Sequence, residues 1–321
     1  MTRSYQGGRL LVEVVRSGFV ECLHHGSVVV LDADGRDVSV TGDGDAPIFP
    51  RSSNKPLQAV AMLRAGLQLD DTADLAMASA SHYGEPRHVA RVRAMLAAGG
   101  LDESALSCPA DLPLFEHARR AVLASGGSPA PIYMNCSGKH TAMLLTCLAA
   151  GWPLDGYREA DHPLQVATRE TLEDLVGGPV VATGVDGCGA PVFSLTLRQL
   201  AASFLALVSA EPGSPERRVA DAMRAHPDLI AGTGADDTLL MTGIPGLLSK
   251  GGAEGVSAVA VPGVGAVAAK IDDGAMRART PVTVAALRRL GIDAPVLEDL
   301  AEQVLLGGGR PVGKVRVLSL S

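Results

Sequence analysis

Two side chains that could do covalent chemistry stand three residues apart: Ser52 and Lys55, in Phe49-Pro50-Arg51-Ser52-Ser53-Asn54-Lys55-Pro56. Pro56 fits only the first turn of a helix, because deeper in it would clash with the preceding turn and remove a hydrogen bond. Leu57, Val60 and Ala61, with Gly66 as the stop, place that helix over residues 53–65. Side chains at i and i+3 share a face, so Ser52 goes with Lys55, whereas Ser53 points elsewhere. A serine hydroxyl is a weak nucleophile until a neighbouring base takes its proton. Withdrawing a lysine from water favours the neutral amine that can do so, and the positive end of the helix dipole favours an alkoxide at the same place. The competing reading of Ser52 is a plain helix N-cap.

Other candidates lie further along the chain. Ala80-Ser81-His82-Tyr83-Gly84-Glu85 is a small-residue loop between two helical patterns, where polar side chains can face a cleft. Ser81 could relay a proton or bond the lysine. His82 is a general-base or ligand candidate, or else bonds local backbone. Lys270, in Lys270-Ile271-Asp272-Asp273-Gly274, ends an apolar strand and either faces a site or reaches out to water. The order Ser-x-x-Lys, serine loop, strand lysine is also that of serine β-lactamases and penicillin-binding proteins, here without the Lys-Thr-Gly form of the third element.

Two glycine-containing loops, Asn135-Cys136-Ser137-Gly138-Lys139-His140 and Asp186-Gly187-Cys188-Gly189, raise the question of a metal. Two thiols alone do not close a tetrahedral zinc site, so Lys139, His140 or a water would have to join them. The alternative is a pair of buried or mildly reactive thiols, and Cys22, Cys108 and Cys147 are read that way outright.

These residues need elements to hold them. Valine-rich segments at 10–16, 27–32 and 36–40, with an Asp34-Gly35 turn, predict strands. Segments 256–261 and 264–271, joined by Pro262-Gly263, and a last one at 315–318 predict more. The middle reads as helices opened at Glu85-Pro86, Asp161-His162-Pro163, Thr196 and Ser214-Pro215, with another from about 139 to 150. The fold class expected is α+β, one antiparallel sheet built from N- and C-terminal strands and flanked by helices. One domain over 1–321 is expected, with a sheet lobe at 1–50 plus 250–321 and a helical lobe at 52–245.

Composition sets the outer limits. The chain has 321 residues, 47% apolar and 20% charged, which suits a folded protein with a full core. A net charge of -7 gives no footprint for nucleic acid or anionic lipid. No apolar run reaches the length needed to span a bilayer, and no apolar stretch follows Met1 to suggest a signal peptide. Five scattered cysteines are not a disulfide framework. A cytoplasmic protein is expected, with no membrane or nucleic-acid partner.

Taken in order, Val14-Val15-Arg16-Ser17-Gly18, Arg51 through Pro56, Ala80-Ser81-His82 with Gly84-Glu85, Asn135 through His140, Asp161-His162-Pro163, Asp186-Gly187-Cys188 and Lys270 through Gly274 resemble the asparaginase II family, the Rhizobium-type (class 3) L-asparaginases. The resemblance runs from about residue 10 to the last strand. It implies a fold like that of serine β-lactamases and glutaminases, and hydrolysis of L-asparagine to aspartate and ammonia. Ser52 would be the nucleophile and Lys55 its base, with Ser81 and Lys270 a second serine–lysine pair. Cys136, Lys139 and Cys188 would hold zinc, with water in the fourth place and Asp186 behind the ligands. No organic cofactor is implied, and a homodimer is. For the substrate, Arg51 or Arg16 suits the carboxylate, Asp186 or Glu85 the ammonium, and His82 lies in the same loop. Where relatives often carry arginine after Gly234, this chain has Ala235. A glutaminase, another serine amidase, or a non-catalytic zinc- or amino-acid-binding relative are the competing readings.

Overall fold

A computed structural model describes residues 5–320, in two compact units. Of these residues the first comprises those up to Ser53, Ser194–Ser209 and those from Leu239 on; the second, Asn54–Phe193 and Ala210–Thr238.

The first unit is built on an antiparallel sheet of eight strands. Numbered along the chain, these are β1 (Arg9–Arg16), β2 (Phe19–Asp32), β3 (Asp37–Thr41), β4 (Leu248–Gly251), β5 (Val256–Val261), β6 (Gly265–Ile271), β7 (Val304–Gly307) and β8 (Arg310–Val317). The order is β7-β8-β1-β2-β6-β5-β4, with β3 paired to the far half of β2. N- and C-terminal segments therefore interleave, as the strand pattern predicts. β5 is buried along its whole length, and β6 everywhere except Lys270. Such continuous burial needs cover on both faces, and the helices Leu197–Ser209 and Met276–Arg289 pack on these strands.

Leu197–Ser209 thus goes with the sheet, whereas the sequence reading counts it in the helical lobe. Its eight buried residues, among them Leu200, Phe204 and Leu207, are what the sheet's apolar face covers. Thr196 opens it with a reciprocal cap: Thr196 Oγ1 accepts from Gln199 N at 3.0 Å, and Gln199 Oε1 accepts from Thr196 N at 2.9 Å.

The second unit is helical. Its helices are Lys55–Arg64, Thr72–Ala78, Pro86–Ala98, Glu116–Ala124, Ser137–Ala150, Pro163–Val176, Pro215–Ala225 and Pro227–Ile230. Proline stands in the first turn of five of them, where its fixed φ and missing N–H cost nothing. The Ser137–Ala150 and Pro163–Val176 helices stop at Gly151 and Gly177, both left-handed. Lys55–Arg64 is buried on every side from Lys55 to Leu63. Helices Ser137–Ala150, Pro163–Val176 and Pro215–Ala225 pack around it, so its N-terminal side chain is carried inside the unit. The expected start at 53 becomes a 3-10 turn, Arg51–Asn54, running into the α-helix at Lys55.

Thr196→Ala removes half of the reciprocal cap and should cost about 1 kcal/mol of unfolding free energy, read by denaturant titration. No loss would mean the cap does not hold this helix.

Candidate active site

The site is assembled around the buried amine of Lys55. Its side chain is 1% exposed, and Nζ donates to Ala80 O at 2.6 Å and Ser81 Oγ at 2.8 Å. Lys55 has no ion pair with a carboxylate among the described residues. The Cys136 sulfur is a further neighbour of this amine.

The acceptors sit on the loop between Thr72–Ala78 and Pro86–Ala98, held on three sides by backbone bonds. Ser81 N donates to Ile230 O, His82 N to Asn135 O and Tyr83 N to Ala231 O, at 2.7–3.0 Å. His82 is wholly buried. Gly84 N donates to its Nδ1 at 3.1 Å, so the proton is on Nε2, which donates to Ser137 Oγ at 2.8 Å. Ser137 Oγ in turn donates to Ile132 O at 2.9 Å. Burial pushes His82 well below the ordinary imidazole value, and the charges of His88 and Lys55 add to this. Both nitrogens are used by the protein, so His82 frames the loop. Glu85 does likewise: its carboxylate accepts from Thr233 N at 2.6 Å and Thr233 Oγ1 at 3.0 Å, and pairs with Arg87 at 2.9 Å.

The two cysteine loops of the second unit converge. Lys139 Nζ lies 3.3 Å from Cys188 Sγ, and Asp186 Oδ2 lies 3.9 Å from the same sulfur. Cys136 is held well below the usual thiol range, chiefly by the hydrogen bond from Cys188, with Lys55 and Lys139 assisting against burial. That bond and burial raise Cys188. Burial opposes the charge of Lys139, but Cys188, Cys136 and Asp186 outweigh it and hold the ammonium above the ordinary lysine value. Cys136 Sγ also lies 2.9 Å from Asn135 Oδ1, to which its thiol donates. Cys108 and Cys147 are pushed up by burial, to about 12 and about 11.

Among the described residues no three His, Cys, Asp or Glu side chains are arranged to hold a metal; a site here depends on Lys139. The donors nevertheless suit a soft divalent ion, with two sulfurs and an amine together. Buried beside them is His140, whose Nδ1 bonds Tyr157 OH at 2.7 Å while Nε2 has no hydrogen-bond partner.

In the first unit, Ser52 lies half-buried in the Arg51–Asn54 turn, and Ser53 is fully buried with its Oγ unpartnered. Arg51 has φ 52 and meets Glu254, φ 58, at 3.4 Å. Left-handed backbone at two non-glycine residues is strain of the kind that collects at functional sites. Arg16 is spent in the β1–β2 hairpin on Glu21 at 3.0 Å. Lys270 Nζ donates to Glu254 O at 2.7 Å and to Ile271 O, and burial lowers it. The fully buried strand lysine is instead Lys250 on β4, 1% exposed, with Nζ donating to Gly251 O at 2.8 Å. Sequence reasoning missed it. Its signal is Ser249-Lys250-Gly251-Gly252, a lysine before two glycines at a strand end.

A family model described as L-asparaginase II matches residues 12–317. Comparison with curated proteins gives no match. Among solved structures, one of Mglu is similar at 14% identity over 83% of this chain and 67% of its own, with a TM-score of 0.37. In two further Mglu structures the share of that chain spanned is 58% and 63%. A beta-lactamase from Mycobacterium bovis is similar at 18% identity over 83% of this chain and 95% of its own, TM-score 0.48. Simvastatin synthase from Aspergillus terreus is similar at 15% identity over 83% and 88%, TM-score 0.39.

The His82 bonds predict that its ring stays neutral with the proton on Nε2 at about pH 6, where a free imidazole of pKa about 6.5 is mostly charged. Because its folded value is depressed, the unfolded chain binds the extra proton, and this contribution to stability is lost as pH falls below about 6.5. Imidazole nitrogen NMR checks it. A His82 ring titrating near 6.5 would contradict the network.

Proposed function

We propose, taking as premise that this chain belongs to the L-asparaginase II family, that it hydrolyses the side-chain amide of free L-asparagine through Ser52. Membership makes it an amidase-type hydrolase acting on a small molecule. Among the described residues no helix is long and apolar enough to cross a membrane. The observation that carries the finer reading is the Lys55 amine, buried without a carboxylate and bonded to Ala80 O and Ser81 Oγ.

In this reading Lys55, three residues after Ser52 in one continuous turn, takes the Ser52 proton as Oγ attacks the amide carbon. The C–N bond breaks, and the proton leaves with ammonia by way of Lys55 and Ser81. Water, deprotonated by the same amine, then hydrolyses the β-aspartyl ester. N–H groups of the first turn are donors for the developing oxyanion; Asn54 puts no side-chain cap on them. Lys270 has its ammonium on two backbone carbonyls, so we leave it out of the relay. Cys136, Lys139 and Cys188 would hold a zinc ion, which supplies a positive centre for binding and orienting the substrate. A cytoplasmic homodimer belongs to the same reading.

Ser52→Ala should lower ammonia release from asparagine by at least about a thousandfold while melting as wild type does. Glutamine and a chromogenic β-lactam run alongside distinguish an amidase of other preference. Retained activity in Ser52→Ala would remove the nucleophile assignment. Metal analysis of purified protein should find zinc in wild type and little in Cys188→Ser; equal zinc in both would remove the ligand assignment.

A further inference from the structure

The proposed reaction needs a cation for the substrate's α-carboxylate, and the two arginines expected there are engaged, Arg16 with Glu21 and Arg51 with Glu254. A third arginine is placed differently. Arg158 is half-buried in the turn before the Pro163–Val176 helix, and makes no hydrogen bond or ion pair among the described residues. Its neighbour Tyr157 is 1% exposed and fixes the turn: its hydroxyl meets His140 Nδ1 at 2.7 Å and Ser107 N at 3.1 Å, and its carbonyl accepts from Gln165 Nε2 at 2.8 Å.

The guanidinium lies across the turn that carries Asp186 and Cys188. A Cβ added to Gly189 would stand 2.2 Å from Arg158 Nη1, and Gly189 has φ +84. Only glycine allows both that backbone and that approach. The turn is closed by Gly189 N donating to Asp186 O at 2.8 Å and Asp186 N donating to Ala190 O at 2.9 Å. The same turn thus carries Asp186 and, at Gly189, receives the guanidinium. Charge from Arg158 and from Lys139 both reach the Cys108 thiol, so the two cations share one region of the unit.

We propose that Arg158 binds the α-carboxylate of a free amino-acid substrate and thereby selects free asparagine over amides lacking that group. This rests on the amidohydrolase reading above and adds its specificity determinant. Planar, bidentate Arg–carboxylate bonding gives the recognition its geometry.

The test compares wild type, Arg158→Gln and Arg158→Lys on L-asparagine and on 3-aminopropanamide, which is asparagine without its α-carboxylate. With wild-type melting as the check on folding, Arg158→Gln should lower kcat/KM for asparagine about 10- to 100-fold, the range expected of a charge-assisted bond. KM should carry most of the change, activity on 3-aminopropanamide should be unaltered, and Arg158→Lys should fall between. An equal loss on both substrates, or on neither, would overturn the assignment. Calorimetry with L-aspartate and β-alanine separates this from failure of the hydrolase reading. If wild type cleaves neither amide, Arg158→Gln must still weaken aspartate and not β-alanine; equal effects on the two would sink the inference alone.

Discussion

A primary amine buried at the head of a helix is the constraint on which the second unit turns. Nζ of Lys55 must find acceptors inside the protein, because leaving a buried donor unmade costs more than a made bond contributes. Ala80 O and Ser81 Oγ meet that need, and their positions fix the shape of the loop from Ser79 to Glu85. The loop then makes further demands. His82 must be neutral with its proton on Nε2, and Glu85 must accept from both groups of Thr233. Each bond restricts the next.

The cysteine pair obeys the same logic with charge added. Buried polar groups need partners: Cys136 Sγ has Asn135 Oδ1 at 2.9 Å, and Cys188 Sγ has the Lys139 amine at 3.3 Å. The donor set is also what a soft divalent ion would take in exchange for the protons. Lys139 and Cys136 are one turn apart at the start of Ser137–Ala150, while Cys188 arrives on a glycine turn; local structure supplies two of the donors, and packing across 49 residues of sequence brings the third to Lys139.

How much of this was legible in the sequence follows from the range of the signals. Prolines at helix starts, glycines at helix ends and valine runs are local, and they placed Pro86–Ala98, Pro163–Val176, the start of Pro215–Ala225 and strands β1, β3, β5 and β6 within a few residues, caught only parts of β2 and β8, and missed the short β4 and β7. Ser81 as a partner for the lysine was readable because a small-residue loop between two helices has few other uses. Burial was not readable. Lys250 and Lys270 both sit on strands near glycines and both donate to backbone carbonyls, and only packing separates the wholly enclosed one from the half-buried one. Nor could periodicity give Leu197–Ser209 to the sheet, since its apolar stripe would serve either unit. Arg158 carries no local pattern at all; what marks it is its approach to Gly189, 31 residues away in sequence.

The account depends on Ser52 and Lys55 acting as one unit, and a double-mutant comparison measures that directly. Residues that act together lose nearly everything when either is removed. With kcat/KM for asparagine taken for Ser52→Ala, Lys55→Met and the double variant, all folded, the account predicts that each single loss nearly equals the double. Near-wild-type turnover in Lys55→Met, or losses that simply multiply, would contradict it.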